Sequence, residues 1–334
     1  MKKILHNVLK FLIPLAIGGG ILWYLYKGQD IHQIIQVLHS GIDWWWIVLS
    51  LVFAVFSHIL RAYRWKQQLK AVNQNPSLND LTNSVFGNYG VNLIFPRLGE
   101  LWRCNFVARR QKMPFSVVLG TVVSERIFDV LCIGFVMLFT ILSQSHFFFS
   151  FFQEHPTIIG SLSRIFASPL TYLMLVIFAV VAFLIRKSLM RSSFMHTISQ
   201  MLSKLWQGIQ TIKTMKHKWF YIFLTFGIWL LYFLNFYVCL YAFDFSKNLG
   251  VINGLTLFVM GSLGVIVPVQ GGTGPWHFMI IATMVLMGVA ETQAATFALI
   301  VHAIQQGFVM LLGLYAMVYI SVVDRLRKKE QLTV

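Results

Sequence analysis

Residues Thr82 to Arg103 read TNSVFGNYGVNLIFPRLGELWR. Most of the stretch is apolar enough for a bilayer, yet Asn83, Asn88 and Asn92 interrupt it, and Pro96-Arg97 and Gly99-Glu100 break it. Inside hydrocarbon, a broken helix and ionisable groups survive only where protein or a water-filled cavity shelters them. The stretch therefore predicts a helix that enters, turns at Pro96 and leaves again, with a polar site at the turn. Pro96 removes a backbone donor and frees carbonyls near Asn92. Asn88 and Asn92, one turn apart on one face, are positioned to satisfy them. Past the break, Gly99 and Glu100 open a second half-helix whose positive end favours an anion. Arg97 and Arg103 flank it with planar forks suited to phosphate. Two readings stay open for these charges: a headgroup or phosphate site, or a Glu100–arginine pair that pins the hairpin shut.

The rest of the chain has the same character. Of 334 residues 57% are hydrophobic and 11% charged, against about a quarter charged in soluble domains, so an integral membrane protein is expected. The 30 Phe and 10 Trp suit lipid contact and interfacial belts. Cys104, Cys132 and Cys239 lie in or beside apolar segments and form no close pair, so neither a disulfide framework nor a metal site is indicated. No nucleophile elbow, HExxH, paired CxxC or Walker loop occurs. No catalytic residue, cofactor or metal is therefore expected, although transfer chemistry at Glu125 or His277 stays open as an alternative.

At about 20 apolar residues per crossing, full spans are expected near Val8 to Tyr26, Trp44 to Leu60, Phe115 to Leu142, Pro169 to Ile185, Trp219 to Phe243 and Ala294 to Val322. Leu81 to Arg110 and Val251 to Ala290 are each broken by Pro and Gly and read as re-entrant hairpins. The expected fold class is thus all-α and polytopic, a single transmembrane domain over 1–334 with six crossings and two broken hairpins. The first apolar run follows Lys2, Lys3 and Lys10 and has no small-residue cleavage site after it, so it is expected to be retained.

The net charge of +16 reads as topology, not as affinity for nucleic acid. With a cytosolic N-terminus, 23 of the 27 Lys and Arg fall on the inner side. Lys27, Arg164 and Lys247 fall outside, and Arg126 lies within a span. Both termini are therefore expected in the cytosol, with the chain a multi-pass protein of the cell's inner (plasma) membrane. The order of crossings and hairpins repeats over 8–142 and 169–322, and three crossings per half invert the second half, as in transporters with sites between their repeats. Segment 191–218, with apolar residues at helical intervals between lysines, reads as a cytosolic amphipathic helix on anionic lipid. His146 to Pro156 reads as an outer aromatic interfacial segment, and 324–334 as a disordered basic tail.

Three further groups carry chemistry. Glu125, Arg126 and Asp129 crowd five positions of one span, and Arg126 is spaced to pair with Asp129. That leaves Glu125 either as a proton-coupled carboxylate or as part of a static brace with Arg97 or Arg103. Pro268, Gly271, Gly272, Gly274 and Pro275 form a loop no helix contains, where Gln270 and Thr273 offer hydrogen bonds and His277 opens the next half-helix. His302, Gln305 and Gln306 on the last span must also face inward. Arg61-Ala-Tyr-Arg-Trp65 reads as an interfacial anchor, with gating as its alternative.

Taken together, Arg61-x-x-Arg64-Trp65, Asn88-x-x-x-Asn92-x-x-x-Pro96-Arg97-x-Gly99-Glu100-x-x-Arg103, Glu125-Arg126-x-x-Asp129 and Pro268-x-x-Gly271-Gly272-x-Gly274 resemble the transmembrane region of lysylphosphatidylglycerol synthases. The resemblance covers nearly the whole chain and implies a flippase-like protein that moves a lipid between leaflets. The lipid is aminoacylated phosphatidylglycerol in the best understood relatives, where a separate cytosolic domain attaches the amino acid. No such domain is recognisable before Val334, so that transferase activity is not expected of this sequence. The family often has an acidic residue shortly after the Gly-Gly-x-Gly turn, where His277 stands here. The expected partner is a membrane lipid, whether anionic, aminoacylated or polyprenyl-linked. The alternatives are an integral membrane enzyme that modifies lipid, and an accessory subunit of a separately encoded synthase or glycosyltransferase.

Overall fold

The computed structural model describes residues 18–27, 41–94, 98–154, 215–267 and 269–332, with isolated positions within 16–39 and 168–211. The helices begin and end where local chemistry dictates. Helix α1, Trp44–Ala71, starts at Asp43, whose carboxylate accepts from the Trp45 N–H at 3.1 Å. It stops at Asn73, held at φ 60°, a conformation that asparagine tolerates better than most residues. Helix α2, Leu78–Ile94, and α3, Gly99–Arg110, are the two arms of the opening stretch and pack on each other across the break. Pro96 and Arg97 lie outside the described residues. Helix α4, Phe115–Ser143, follows Pro114, and α5, Ser145–Glu154, follows a single intervening residue, Gln144. Then come α6, Lys218–Tyr237, a 3-10 turn Val238–Ala242, α7, Gly250–Ile266, and α8, Pro275–Leu286, with Pro275 at the first helical position. Helix α9, Glu291–Leu332, closes the chain.

Among the described residues no strand occurs, and four helices are long and apolar enough to cross a membrane: Trp44–Ala71, Phe115–Ser143, Lys218–Ala242 and Glu291–Leu326. They coincide with four of the six expected spans. The other two, Val8 to Tyr26 and Pro169 to Ile185, fall largely on residues outside the described set, as does the 191–218 segment. The order long helix, two shorter helices, long helix occurs twice, as α1, α2–α3, α4 and as α6, α7–α8, α9.

Two of the expected segments differ. The tail expected to be disordered continues α9 to Leu332, and Asp324 there pairs with Arg110 at the end of α3. The aromatic run after His146 is the helix α5, whose Phe148 and Phe151 bury themselves against Met260, so it packs on protein and is not purely interfacial.

The core has two main parts. One gathers Trp65, Leu69, Leu81, Val85, Cys104, Val107, Val118 and Val122 from α1, α2, α3 and the start of α4. The other gathers Phe236, Leu257, Trp276, Ile280, Phe297 and Val301 from α6, α7, α8 and α9. Helix α9 bridges them by packing along α2, where Gly90 meets Gly313: a Cβ on Gly313 would lie 2.6 Å from the Gly90 backbone nitrogen. Small residues at a crossing let two backbones approach closely, the usual basis of helix association in membranes. Helices α7 and α8 close up in the same way, since a Cβ on Gly264 would lie 2.8 Å from the Cα of Trp276.

Candidate functional site

The first core part encloses an ionic cluster. Arg61 and Arg64 stand one turn apart on α1, Arg103 on α3, and Glu125 on α4 with its side chain fully buried. One Glu125 oxygen accepts from Arg61 Nε at 2.7 Å and lies 3.1 Å from an Arg64 nitrogen. The other accepts from Arg103 at 3.1 Å. Arg64 also donates to Asp129 at 2.7 Å and to Thr225 of α6 at 2.9 Å. Three helices, α1, α3 and α4, thus meet at one buried carboxylate, and α6 joins them through Arg64. Stacking of Arg103 over Trp65, 4.8 Å from guanidinium to ring, and the Trp65 N–H bond to Thr121 at 2.9 Å fix the cluster's inner wall.

The outer edge of the cluster is more open. Arg126 and Glu100 approach to 2.9 Å, and their side chains are 37% and 36% exposed, while Arg126 reaches Asp129 at 3.4 Å. Among the described residues four arginines face three carboxylates here, leaving one positive charge over. Buried Nε and Nη1 atoms of Arg103 have no hydrogen-bond acceptor among the described residues. Such an arrangement has the capacity to hold an anion at its Glu100–Arg126 edge, because a desolvated guanidinium gains most from a charged acceptor.

The break between α2 and α3 has a defined local cause. Asn92 Oδ1 accepts from the Gly99 N–H at 2.8 Å and so caps α3. A side chain on Gly99 is excluded, since its Cβ would fall 2.6 Å from Asn88 Oδ1 and 2.8 Å from Asn92 Oδ1. Asn92 therefore serves the orphan donor of the second arm, where the sequence predicted service to carbonyls of the first.

A second polar region surrounds the Gly271–Gly274 turn. Gly271, Gly272 and Gly274 take φ values of 62°, 72° and 94°, which only glycine adopts without strain. His302 Nε2 lies 3.0 Å from the Gly271 carbonyl, and because a carbonyl only accepts, that nitrogen carries the proton. His277 is buried, accepts from the Gly274 N–H at 3.3 Å and packs its ring 4.5 Å from that of His302. Thr273 and Gly274 lie against the helix at 18–26, through contacts to Gly18 and Ile21. Beside the turn is a cavity of about 340 Å³, lined by α6, α7, α8 and α9 as well as Gly271.

The expected residues therefore fall into two groups. Asn88, Asn92, Glu100, Arg103, Glu125, Arg126 and Asp129 lie in or beside the ionic cluster, whereas Gln270, Gly271, Gly272, Thr273, Gly274 and His277 form the turn. Helix α2 touches the turn, but among the described residues no hydrogen bond or ion pair joins the two groups. His58 of α1 lies 3.3 Å from the Tyr89 hydroxyl and 6.2 Å from the Tyr232 ring of the cavity wall.

Three readings need correction. Arg61, Arg64 and Trp65 are not interfacial anchors, since all three are buried in the cluster. Glu125 is not left over by an Arg126–Asp129 pair: it pairs with Arg61, Arg64 and Arg103, the last being the brace the sequence offered as its alternative. Asn92 caps α3, whereas the buried Asn88 Oδ1 has no hydrogen-bond partner among the described residues. A signal for the arginines was present: two buried carboxylates four apart demand more than one cation, and Arg61 and Arg64 are spaced to reach both. Asn235, Trp229 and Tyr232 of the cavity carried no such signal, because they fall on a span marked only by its hydropathy. Among the described residues no three His, Cys, Asp or Glu side chains group to hold a metal ion.

A helical bundle with four membrane-length apolar helices, two broken helix pairs and a buried arginine–carboxylate network defines a polytopic membrane protein. The chain belongs to the family described as the lysylphosphatidylglycerol synthase TM region, whose profile matches residues 11–313. Among curated proteins it is 25% identical over 143 residues to the UPF0104 membrane protein MJ1595 of Methanocaldococcus jannaschii, covering 42% of this chain and 40% of that one. It is also 29% identical over 106 residues to the glycosyltransferase AglD of Haloferax volcanii, covering 31% of this chain and 17% of that one. The chain thus spans less than half the length of either relative. No solved structure gives a significant match.

Proposed function

We propose that the protein moves a headgroup-bearing lipid between the leaflets of a plasma membrane. The observation that carries this reading is the ionic cluster: among the described residues, four arginines against three carboxylates, set among α1, α3, α4 and α6 and open at Glu100 and Arg126. Charges are retained in a membrane span when they serve a substrate path or relay, and the excess positive charge suits a phosphate. Membership of a lipid-synthase membrane-region family supports the same reading. In this proposal the two broken helix pairs are re-entrant, the halves 8–142 and 169–322 form an inverted repeat, six helices cross, and both termini are cytosolic. The bias of Lys and Arg along the sequence supports that orientation.

The test is leaflet exchange in proteoliposomes with labelled anionic phospholipid, aminoacylated phosphatidylglycerol, polyprenyl phosphate and sugar-linked polyprenyl phosphate. At least one class moves faster than in protein-free vesicles, and Glu100→Gln with Arg126→Gln slows it by about tenfold, the effect expected of one lost charge-assisted contact. If no class moves faster with protein present, the proposal fails. The partial likeness to AglD favours a second reading, an accessory to a separately encoded glycosyltransferase. Co-purification of such an enzyme's activity with a chain that moves no lipid supports this alternative.

A further inference from the structure

The cavity beside the glycine turn has a composition distinct from that of the ionic cluster. Its walls carry the rings of Trp229, Tyr232, Phe236, Phe258 and Trp276 and the polar groups of Asn235, Ser262, His302, Gln305 and Gln306. Among the described residues no carboxylate, lysine or arginine lines it. Its volume of about 340 Å³ lies within the range of small-molecule sites, roughly 300–1,000 Å³. Two buried donors near it lack an acceptor among the described residues, the indole N–H of Trp229 on its wall and the amide nitrogen of Gln270 at the turn. The Gln305 amide has only long contacts, 3.5 Å to the Asn235 carbonyl and 3.6 Å to Cys239 Sγ.

We infer that this cavity binds a neutral sugar headgroup carried by a lipid. Flat aromatic faces beside amide and hydroxyl groups match a sugar, which presents apolar C–H faces and a rim of hydroxyls that both donate and accept. A cationic aminoacyl headgroup would leave an ammonium here with no carboxylate partner, at a large desolvation cost. A phosphate seated in the cavity would likewise meet no cation among the described residues, so of a phosphate-linked sugar lipid only the sugar enters. The lipid source follows from the rim: Val265 lines the cavity and is 53% exposed, and the adjacent Ile266 is 68% exposed. An apolar, outward-facing rim suits a lipid tail better than entry from water.

The inference deepens the proposed lipid transport and rests on it only for the lipid's fate. Equilibrium binding separates the two: the purified full chain is titrated in detergent with polyprenyl phosphohexose, polyprenyl phosphate, lysylphosphatidylglycerol and a free methyl hexoside. The sugar-linked lipid binds at least about tenfold tighter than each of the others, as expected for two or more gained hydrogen bonds. Trp229→Phe, which keeps an aromatic ring but removes the N–H, and Gln306→Leu together reduce that preference by about tenfold while binding of polyprenyl phosphate is unchanged. Gln306 makes only a 3.4 Å contact to the Gly271 carbonyl, so its loss spares the fold. Equal binding of sugar-linked and bare polyprenyl phosphate, tighter binding of lysylphosphatidylglycerol, or an unaltered preference in the variants overturns the sugar site. A free hexoside binding as tightly as the lipid form overturns the lipid source. Sugar-lipid binding without leaflet exchange leaves the site intact and sinks the transport proposal instead.

Discussion

Neutralising Glu125 without changing its shape is the sharpest probe of the cluster. In Glu125→Gln the side chain stays fully buried among Arg61, Arg64 and Arg103, whose nitrogens lie 2.7, 3.1 and 3.1 Å from its oxygens. The net charge of the cluster rises from one to two positive, and one amide nitrogen is turned toward guanidinium donors that need an acceptor. Breaking a buried pair by removing one partner costs about 3–5 kcal/mol, and here three partners share the loss. That is a large part of a typical folding free energy of about 5–15 kcal/mol. The variant is therefore expected to give a poor yield of monodisperse protein and a much lower unfolding midpoint in detergent. Removing one of the orphaned cations at the same time, in Glu125→Gln with Arg61→Met, is expected to recover about 1–3 kcal/mol, the usual coupling between residues in one network. A single variant as stable as the parent to within about 0.5 kcal/mol would falsify the claim that Glu125 holds the helices together.

Two further outcomes follow from the helix contacts. Gly313→Ala puts a Cβ 2.6 Å from the backbone of Gly90, which has no side chain to move aside. The α2–α9 crossing is expected to open at a cost of about 1–3 kcal/mol, seen as a lower unfolding midpoint, while Gly307→Ala, with nothing within 4 Å of the added carbon, leaves it unchanged. Asn92→Ala removes the cap on α3 and is expected to cost about 1 kcal/mol and to raise hydrogen exchange at Gly99. Protection at Gly99 equal to the parent's contradicts the cap.

Much of the architecture was legible in the sequence because membrane helices satisfy their own backbone and advertise themselves by length and hydropathy. The spans beginning at Trp44, Phe115, Trp219 and Ala294 could be read that way, as could the breaks around Pro96 and around Gly271 to Gly274. The identities of the buried charges could be read as well, since three ionisable residues in five positions of a span have to face inward. What the sequence could not supply was their partners. Arg61 and Arg64 lie 61 to 68 positions from Glu125 and Asp129 along the chain, and counting basic residues assigned them to a membrane surface when folding buries them. Pairing across that distance depends on how α1, α3 and α4 rotate against one another, which hydropathy does not record. The same holds for the cavity: Trp229, Tyr232 and Asn235 stand on a span that the sequence marks only as a crossing, and only their meeting with Gln305, Gln306 and the glycine turn makes a polar site. Local chemistry alone determined where the helices run and stop; tertiary packing decided which buried charges neutralise each other and which polar groups share a cavity, because those depend on contacts between helices far apart in sequence.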